Sequence, residues 1–259
     1  KTVSTEKTIG NVKYTFDDRG VAQDSWVHNS DKGTWKYYGD EEEPKLHTGW
    51  FEAVPPKDLN SDDHESGTTH WYYANSKGEI TIPTADGEVG VVKTIDGKSY
   101  LFNSDGEMVT GLRILTYDGS KITNISSEVD SADTVKNMNS DTMKLVYFES
   151  NGAAKTGTTT ITLDGTSYTF SFKSNGSPRG VGETGISDGY IYQNGLRLTA
   201  DEDTKYGVVT YKNESYVVNE KGSIQKNKKN LKDADETYYC TNAKGILLHS
   251  STEKCTTKH

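Results

Sequence analysis

Asp96-Gly-Lys-Ser-Tyr-Leu-Phe-Asn-Ser-Asp-Gly-Glu-Met-Val-Thr-Gly111 is the stretch from which the fold can be read. In an extended chain residues two apart share a face, so Tyr100 and Phe102 point one way while Ser99 and Leu101 point the other. Asn103-Ser-Asp-Gly106 then supplies a polar turn in which glycine can take a positive φ, and Glu107-Met-Val-Thr110 returns as a second short strand. The same pattern recurs along the chain. Tyr14-Thr-Phe16 precedes Gly20, Val146-Tyr-Phe148 precedes Gly152, Phe170-Ser-Phe172 precedes Gly176, Tyr190-Ile-Tyr192 precedes Gly195, and Tyr216-Val-Val218 precedes Gly222. The best internal match sets Trp71-Tyr-Tyr-Ala-Asn-Ser-Lys-Gly78 against Tyr238-Tyr-Cys-Thr-Asn-Ala-Lys-Gly245. From Gly152 the glycines fall 24, 19, 27 and 23 residues apart, a period of one hairpin per repeat. A lone hairpin is marginal in water, so the rings of each repeat must be covered by the next. The prediction is an all-β, elongated solenoid of stacked β-hairpin repeats with nearest-neighbour stability.

Composition points the same way. Leu, Ile, Val and Phe number 47 of 259 residues, too few for one core of ordinary density, while 16 Tyr and 4 Trp supply flat rings whose polar ends can stay wet. The balance of 29 Lys and Arg against 38 Asp and Glu offers no basic face for a phosphate backbone, so nucleic acid is not an expected partner. No run of 18 apolar residues is present, and no membrane insertion is expected. Cys240 and Cys255 would close a 15-residue span, worth roughly 3 kcal/mol if they pair, but spacing alone does not decide pairing.

Two stretches break the rhythm. Residues 52–69 form a polar, acidic insertion with a Pro-Pro break, and residues 116–144, rich in Ser, Asp and Asn, are read as a second insertion with a short helix near Ala132 to Asn137. The repeat resumes after each, so the chain is expected to be one array over residues 1–259.

The segments Thr48-Gly-Trp50, Trp71-Tyr-Tyr-Ala-Asn-Ser-Lys-Gly78 and Asp96 to Gly111 resemble cell-wall-binding repeats. That family includes choline-binding modules, the glucan-binding repeats of glucansucrases and the repetitive receptor-binding ends of clostridial toxins. The longer pattern is similar to that of divergent surface proteins of gut Clostridia, over roughly Ile9 to Leu248. The resemblance implies hairpins stacked on a secreted or surface-attached bacterial protein, with ligands held between neighbours. It also implies a choline cage built from a Gly-Trp tryptophan, the tryptophan that opens Trp-Tyr-Tyr and an aromatic of the adjoining repeat, since a quaternary ammonium needs several ring faces. Here only Trp50 follows a Gly in that context, and the column of Trp71 is filled elsewhere by Lys13, Ser99, Leu145, Thr169 and Ser215, so the cage is lost in most repeats.

All four tryptophans lie in the first 71 residues. Trp35, Trp50, Trp71 and Tyr73 are the candidate ligand-binding residues, rings from adjoining hairpins that could meet at one groove and take the C–H face of a sugar, with Asp62, Asp63, His64 and Glu65 at its rim. The competing reading is that these rings are the packing between hairpins. No metal site is expected, because the Asp62–Glu65 cluster lacks calcium-loop spacing and His28, His47, His70 and His249 stand in no metalloprotease pattern. No nucleophile elbow or cofactor-binding fingerprint is present, so neither a catalytic residue nor a cofactor is expected. The function expected is non-catalytic recognition of a polysaccharide or cell-wall glycan. The alternatives are an adhesin-like surface for a host protein, such as a mucosal glycoprotein or immunoglobulin, and a spacer without a ligand.

Overall fold

The alternation over Lys98–Asn103 forms a strand that pairs antiparallel with Gly90–Ile95 across a tight turn. Asp96 and Gly97 both hold positive φ, 48° and 77°, the mirror-image turn whose twist matches that of paired strands. A computed structural model describes residues 5–176 and 179–256. The remaining residues of the expected array, 1–4, 177–178 and 257–259, lie outside the described residues. The described chain is built from antiparallel strands joined by turns, with two six-residue helices, Ser61–Ser66 and Ala132–Asn137. The predicted all-β hairpin fold is the fold observed.

The Asn-x-x-Gly turn is a fixed piece of chemistry. Asn103 donates its N–H to the Glu107 carbonyl and accepts from the Gly106 N–H, both at 3.0 Å, while its side-chain oxygen accepts from the N–H groups of Asp105 and Glu107. The same four bonds form at Asn75, Asn219 and Asn242. Asn suits the position because its short amide can satisfy the turn's own backbone. The segment that follows ties one repeat to another. Met108 N–H donates to the Trp71 carbonyl at 2.8 Å and Val109 N–H to the Leu101 carbonyl at 2.9 Å, just as Ile80 donates to Trp35 and Thr81 to Tyr73. Gly106 sits where a Cβ would stand 2.8 Å from Ile80 Cδ1, and its φ is 78°, so glycine is required both by backbone and by packing.

The chain divides into two compact units, the first comprising Lys1–Gly111, Leu115–Ser126 and Phe148–Ala153. It contains the hairpins Thr5–Ile9 with Val12–Phe16, Trp26–Asn29 with Thr34–Tyr37, Gly49–Ala53 with His70–Ala74, and Gly90–Ile95 with Lys98–Asn103. Lys121–Ile125 pairs with the Leu115–Asp118 end of strand Gly111–Asp118, so the start of the stretch read as a second insertion is strand. Ile122, Ile125 and Leu115 carry that strand pair among polar neighbours that hide the alternation. One core cluster of this unit is Trp35, Phe51, Ala53, Tyr72, Ala74 and Ile80.

The second unit comprises Leu112–Ile114, Ser127–Tyr147 and Ala154–His259. Gly157–Leu163, Thr166–Phe172, Leu196–Arg197, Tyr190–Gln193 and Gly185–Ser187 lie side by side in one sheet. Helix Ala132–Asn137, where the sequence predicts one, is capped by the Ser131 hydroxyl and buries Ala132 and Val135 against Leu145, Phe170 and Leu196. Tyr206–Tyr211 pairs with Glu214–Asn219, and Leu231–Lys232, Tyr238–Thr241 and Leu247–Ser251 form the last sheet. Cys240 and Cys255 are joined in a disulfide, and Asn230 contacts both, its N–H donating to Cys240 Sγ at 3.2 Å and its side-chain oxygen accepting from the Cys255 N–H at 2.7 Å. Among the described residues no helix is long and apolar enough to cross a membrane.

Candidate functional site

The hairpin of Gly49–Ala53 and His70–Ala74 has two unlike faces. Its register sets Phe51 against Tyr72, and alternation turns these two with Ala53 and Ala74 into the core, where all four are buried. The same register sets Trp50 against Tyr73 and Glu52 against Trp71 on the outer face. Trp71 is 45% exposed, a large apolar ring left in water. Trp50 meets Tyr73 edge to face at 5.1 Å and Tyr100 of the following hairpin at 4.8 Å. Lys93, the cross-strand neighbour of Tyr100, holds its ammonium 5.4 Å from the centre of the Tyr73 ring. A carboxylate oxygen of Glu52 accepts from the Thr69 hydroxyl at 2.7 Å.

The structure therefore brings Trp50, Trp71 and Tyr73 to one face and leaves Trp35 elsewhere. Trp35 is 7% exposed, packs in the core with Phe51 and Tyr72, and stacks on His28 at 4.3 Å with the rings nearly parallel. Its ring is packing between hairpins. Tyr100, Glu52 and Lys93 complete the face and escape the sequence reading. Glu52 stands two residues after Trp50 and so shares its face, a signal available to alternation; Lys93 arrives only through strand register, which no spacing reveals.

The insertion behaves differently from its expected role as a rim. Asp62, Asp63, His64 and Glu65 lie on helix Ser61–Ser66, which is capped by Asn60 and ended by Gly67 at φ 72°. His64 Nδ1 bonds the Pro55 carbonyl at 2.8 Å, and Glu65 pairs with Lys57. Asp63 reaches His70 Nε2 at 2.8 Å, on the Tyr72 side of the strand and away from Trp71.

A cleft of about 570 Å³ lies in the first unit beside Trp26, Tyr37, Asp40, Pro55 and His64. Trp26 and Tyr37 there are already engaged in ring packing, Trp26 with Tyr37 at 5.0 Å and with Tyr72 at 5.0 Å, and Tyr37 stacked on Phe51 at 5.3 Å. A cavity of about 400 Å³ in the second unit is lined by Met138, Met143, Lys144 and Lys173 and by no aromatic ring.

No family model and no curated protein matches this chain. Solved structures do show likeness. Choline binding protein F from Streptococcus pneumoniae, in the presence of a peptidoglycan analogue, is similar at 19% identity with a TM-score of 0.32 over 96% of this chain and 100% of that one. The choline-binding domain of CbpL from Streptococcus pneumoniae is similar at 13% identity with a TM-score of 0.42 over 88% and 99%. Alternansucrase in complex with isomaltononaose is similar at 14% identity with a TM-score of 0.30 over 95% of this chain and only 15% of the enzyme's. With identity and TM-score this low, the site stands on the chain's own residues.

Proposed function

We propose that this chain is a non-catalytic module of a secreted or surface-attached bacterial protein that binds a polysaccharide or cell-wall glycan on the face formed by Trp50, Trp71, Tyr73 and Tyr100. The observation that carries the reading is the exposure of Trp71, at 45%, on the same outer face as Trp50 and Tyr73. A large ring left in water forgoes about 1.5–3 kcal/mol of burial, which a ligand can recover by covering it. A pyranose offers a C–H face for the rings, and Glu52 and Lys93 at the two ends of the face can accept from and donate to its hydroxyl groups. The same geometry argues against choline. Two of the rings meet Trp50 edge-on, and the Lys93 ammonium beside Tyr73 repels a second cation.

The test is retention on insoluble glucans and purified cell walls, followed by a glycan array. Trp71→Ala should lower retention about tenfold or more while far-UV circular dichroism is unchanged, and Trp50→Ala should do the same. Retention that survives both substitutions moves the site off this face, and capture of a host protein without glycan dependence replaces the glycan reading with the adhesin one.

A further inference from the structure

On the opposite side of the same hairpin, two neighbouring segments meet a third that is remote in sequence. Asp63 comes from the insertion helix, His70 from the start of its strand, and Glu107 from the Asn103–Glu107 turn. Their ligand atoms all lie within 4.8 Å of one another. His70 Nε2 is 2.8 Å from Asp63 Oδ2 and 3.6 Å from Glu107 Oε1. Tetrahedral zinc with nitrogen and oxygen ligands near 2.0–2.1 Å sets neighbouring donors about 3.3 Å apart, a spacing these two distances bracket.

Charge and second-layer contacts fit the same ion. Neither carboxylate has a lysine or arginine partner among the described residues, so two negative charges stand beside one imidazole. The Asn60 amide donates to Asp63 Oδ2 at 2.8 Å and to Glu107 Oε1 at 2.9 Å, and Asn103 holds the other Glu107 oxygen at 2.9 Å, which orients both carboxylates. Independently of the cluster, the Tyr72 hydroxyl, on the same strand face as His70, is buried without a hydrogen-bond partner. A buried donor left unpaired costs about 1–3 kcal/mol, and a ligand of the neighbouring carboxylates, such as a metal-bound water, would satisfy it. Solvent can reach the group, since the His70 and Asp63 side chains are 25% and 32% exposed.

We infer that Asp63, His70 and Glu107 form a site for a divalent first-row transition metal of the zinc type, which ties the insertion to the hairpin beneath it. One imidazole and two carboxylates match such ions in donor type, and two carboxylates neutralise their charge. Calcium takes oxygen donors only and is excluded by the imidazole. On binding, the proton that Nε2 shares with Asp63 is released to solvent or moves to Nδ1, and the metal takes the freed Nε2 lone pair with the ring's remaining proton on Nδ1.

The experiment is titration of the whole, disulfide-intact chain with Zn²⁺, and separately with Co²⁺ as a spectroscopic probe. One equivalent of Zn²⁺ should raise the thermal midpoint where Ca²⁺ does not. One equivalent of Co²⁺ should give visible d–d bands that Zn²⁺ abolishes. His70→Gln should weaken the ion at least about tenfold, with His249→Gln as an unaffected control. Absence of d–d bands in the native chain overturns the proposal, and so does a zinc response of equal size in His70→Gln. Should that variant fail to fold, Asp63→Asn, whose one oxygen can still accept from Asn60 and His70, serves in its place. Glycan retention is measured on the same samples, so that failure of the metal site and failure of the Trp71 face are read separately.

Discussion

His47 shows how one side chain couples the core of the first unit to pH. Its ring lies against Tyr37 at 5.1 Å and Phe51 at 5.3 Å. Burial first, then the charge of Lys45, pushes its pKa below the ordinary 6.5, against the opposing pull of Glu43 and Asp40. A lowered folded-state value means that the unfolded chain takes the proton more readily, so folding releases it and stability rises with pH across this window. The contribution is complete above the ordinary value and is lost as pH falls through it towards the folded-state value. Urea unfolding followed by tryptophan fluorescence should therefore give a lower midpoint at pH 5.5 than at pH 7.5. In His47→Gln that difference should shrink. At this scale the sequence is legible in kind and blind in direction. It shows that the first 71 residues hold a cluster of rings, but Trp35 and Trp71 look alike until the strands are paired, when one is core and the other faces water.

Among elements, the turn with its returning segment is the most constrained piece. Gly106→Ala meets two penalties, a left-handed φ of 78° and a Cβ pressed on Ile80. Together these should cost about 2–5 kcal/mol, from roughly 1–2 for the backbone and roughly 1–3 for overpacking. A substitution at Gly97, whose Cβ would meet nothing, bears the backbone penalty alone. Comparing the two in denaturant unfolding separates strain from packing, and equal losses would contradict the packing account. These turns are readable in sequence because Asn and Gly stand at fixed offsets and act through their own backbone. Helix Ala132–Asn137 is readable for a similar reason, since Ser131 caps it. Helix Ser61–Ser66 also has a cap at Asn60 and a stop at Gly67, but it buries no residue, so no apolar spacing marks it, and its further contacts, Asn60 to Glu107 and Asp63 to His70, are not local. The cluster at Glu107 is illegible for that reason too: its members are brought together by pairing and stacking, and no local motif marks them.

For the whole molecule, the two compact units carry unequal reporters. All four tryptophans fall in the first unit, while the disulfide between Cys240 and Cys255 closes the last sheet of the second. Reduction should remove about 3 kcal/mol from that end. In the single array that the sequence reading proposes, stability passes from neighbour to neighbour. Dithiothreitol should then lower the midpoint seen by circular dichroism and, by less, the one seen by tryptophan fluorescence. A fluorescence midpoint that stays put would mean that the two units unfold separately, against the proposal of one array.

Gly106 receives Ile80 and, two residues on, Met108 fills the space over Gly152; in the second unit Ile224 does the same at Gly245. The repeats at Gly78, Gly106 and Gly222 thus carry a socket and, two positions later, a plug for the repeat that follows. A one-residue insertion or deletion between them would misalign plug and socket, whereas length added in a connection such as 52–69 leaves them matched. Lineages of this chain should therefore grow and shrink by entire modules or in their connecting loops, and the two-residue gap between socket and plug should be the last thing to vary.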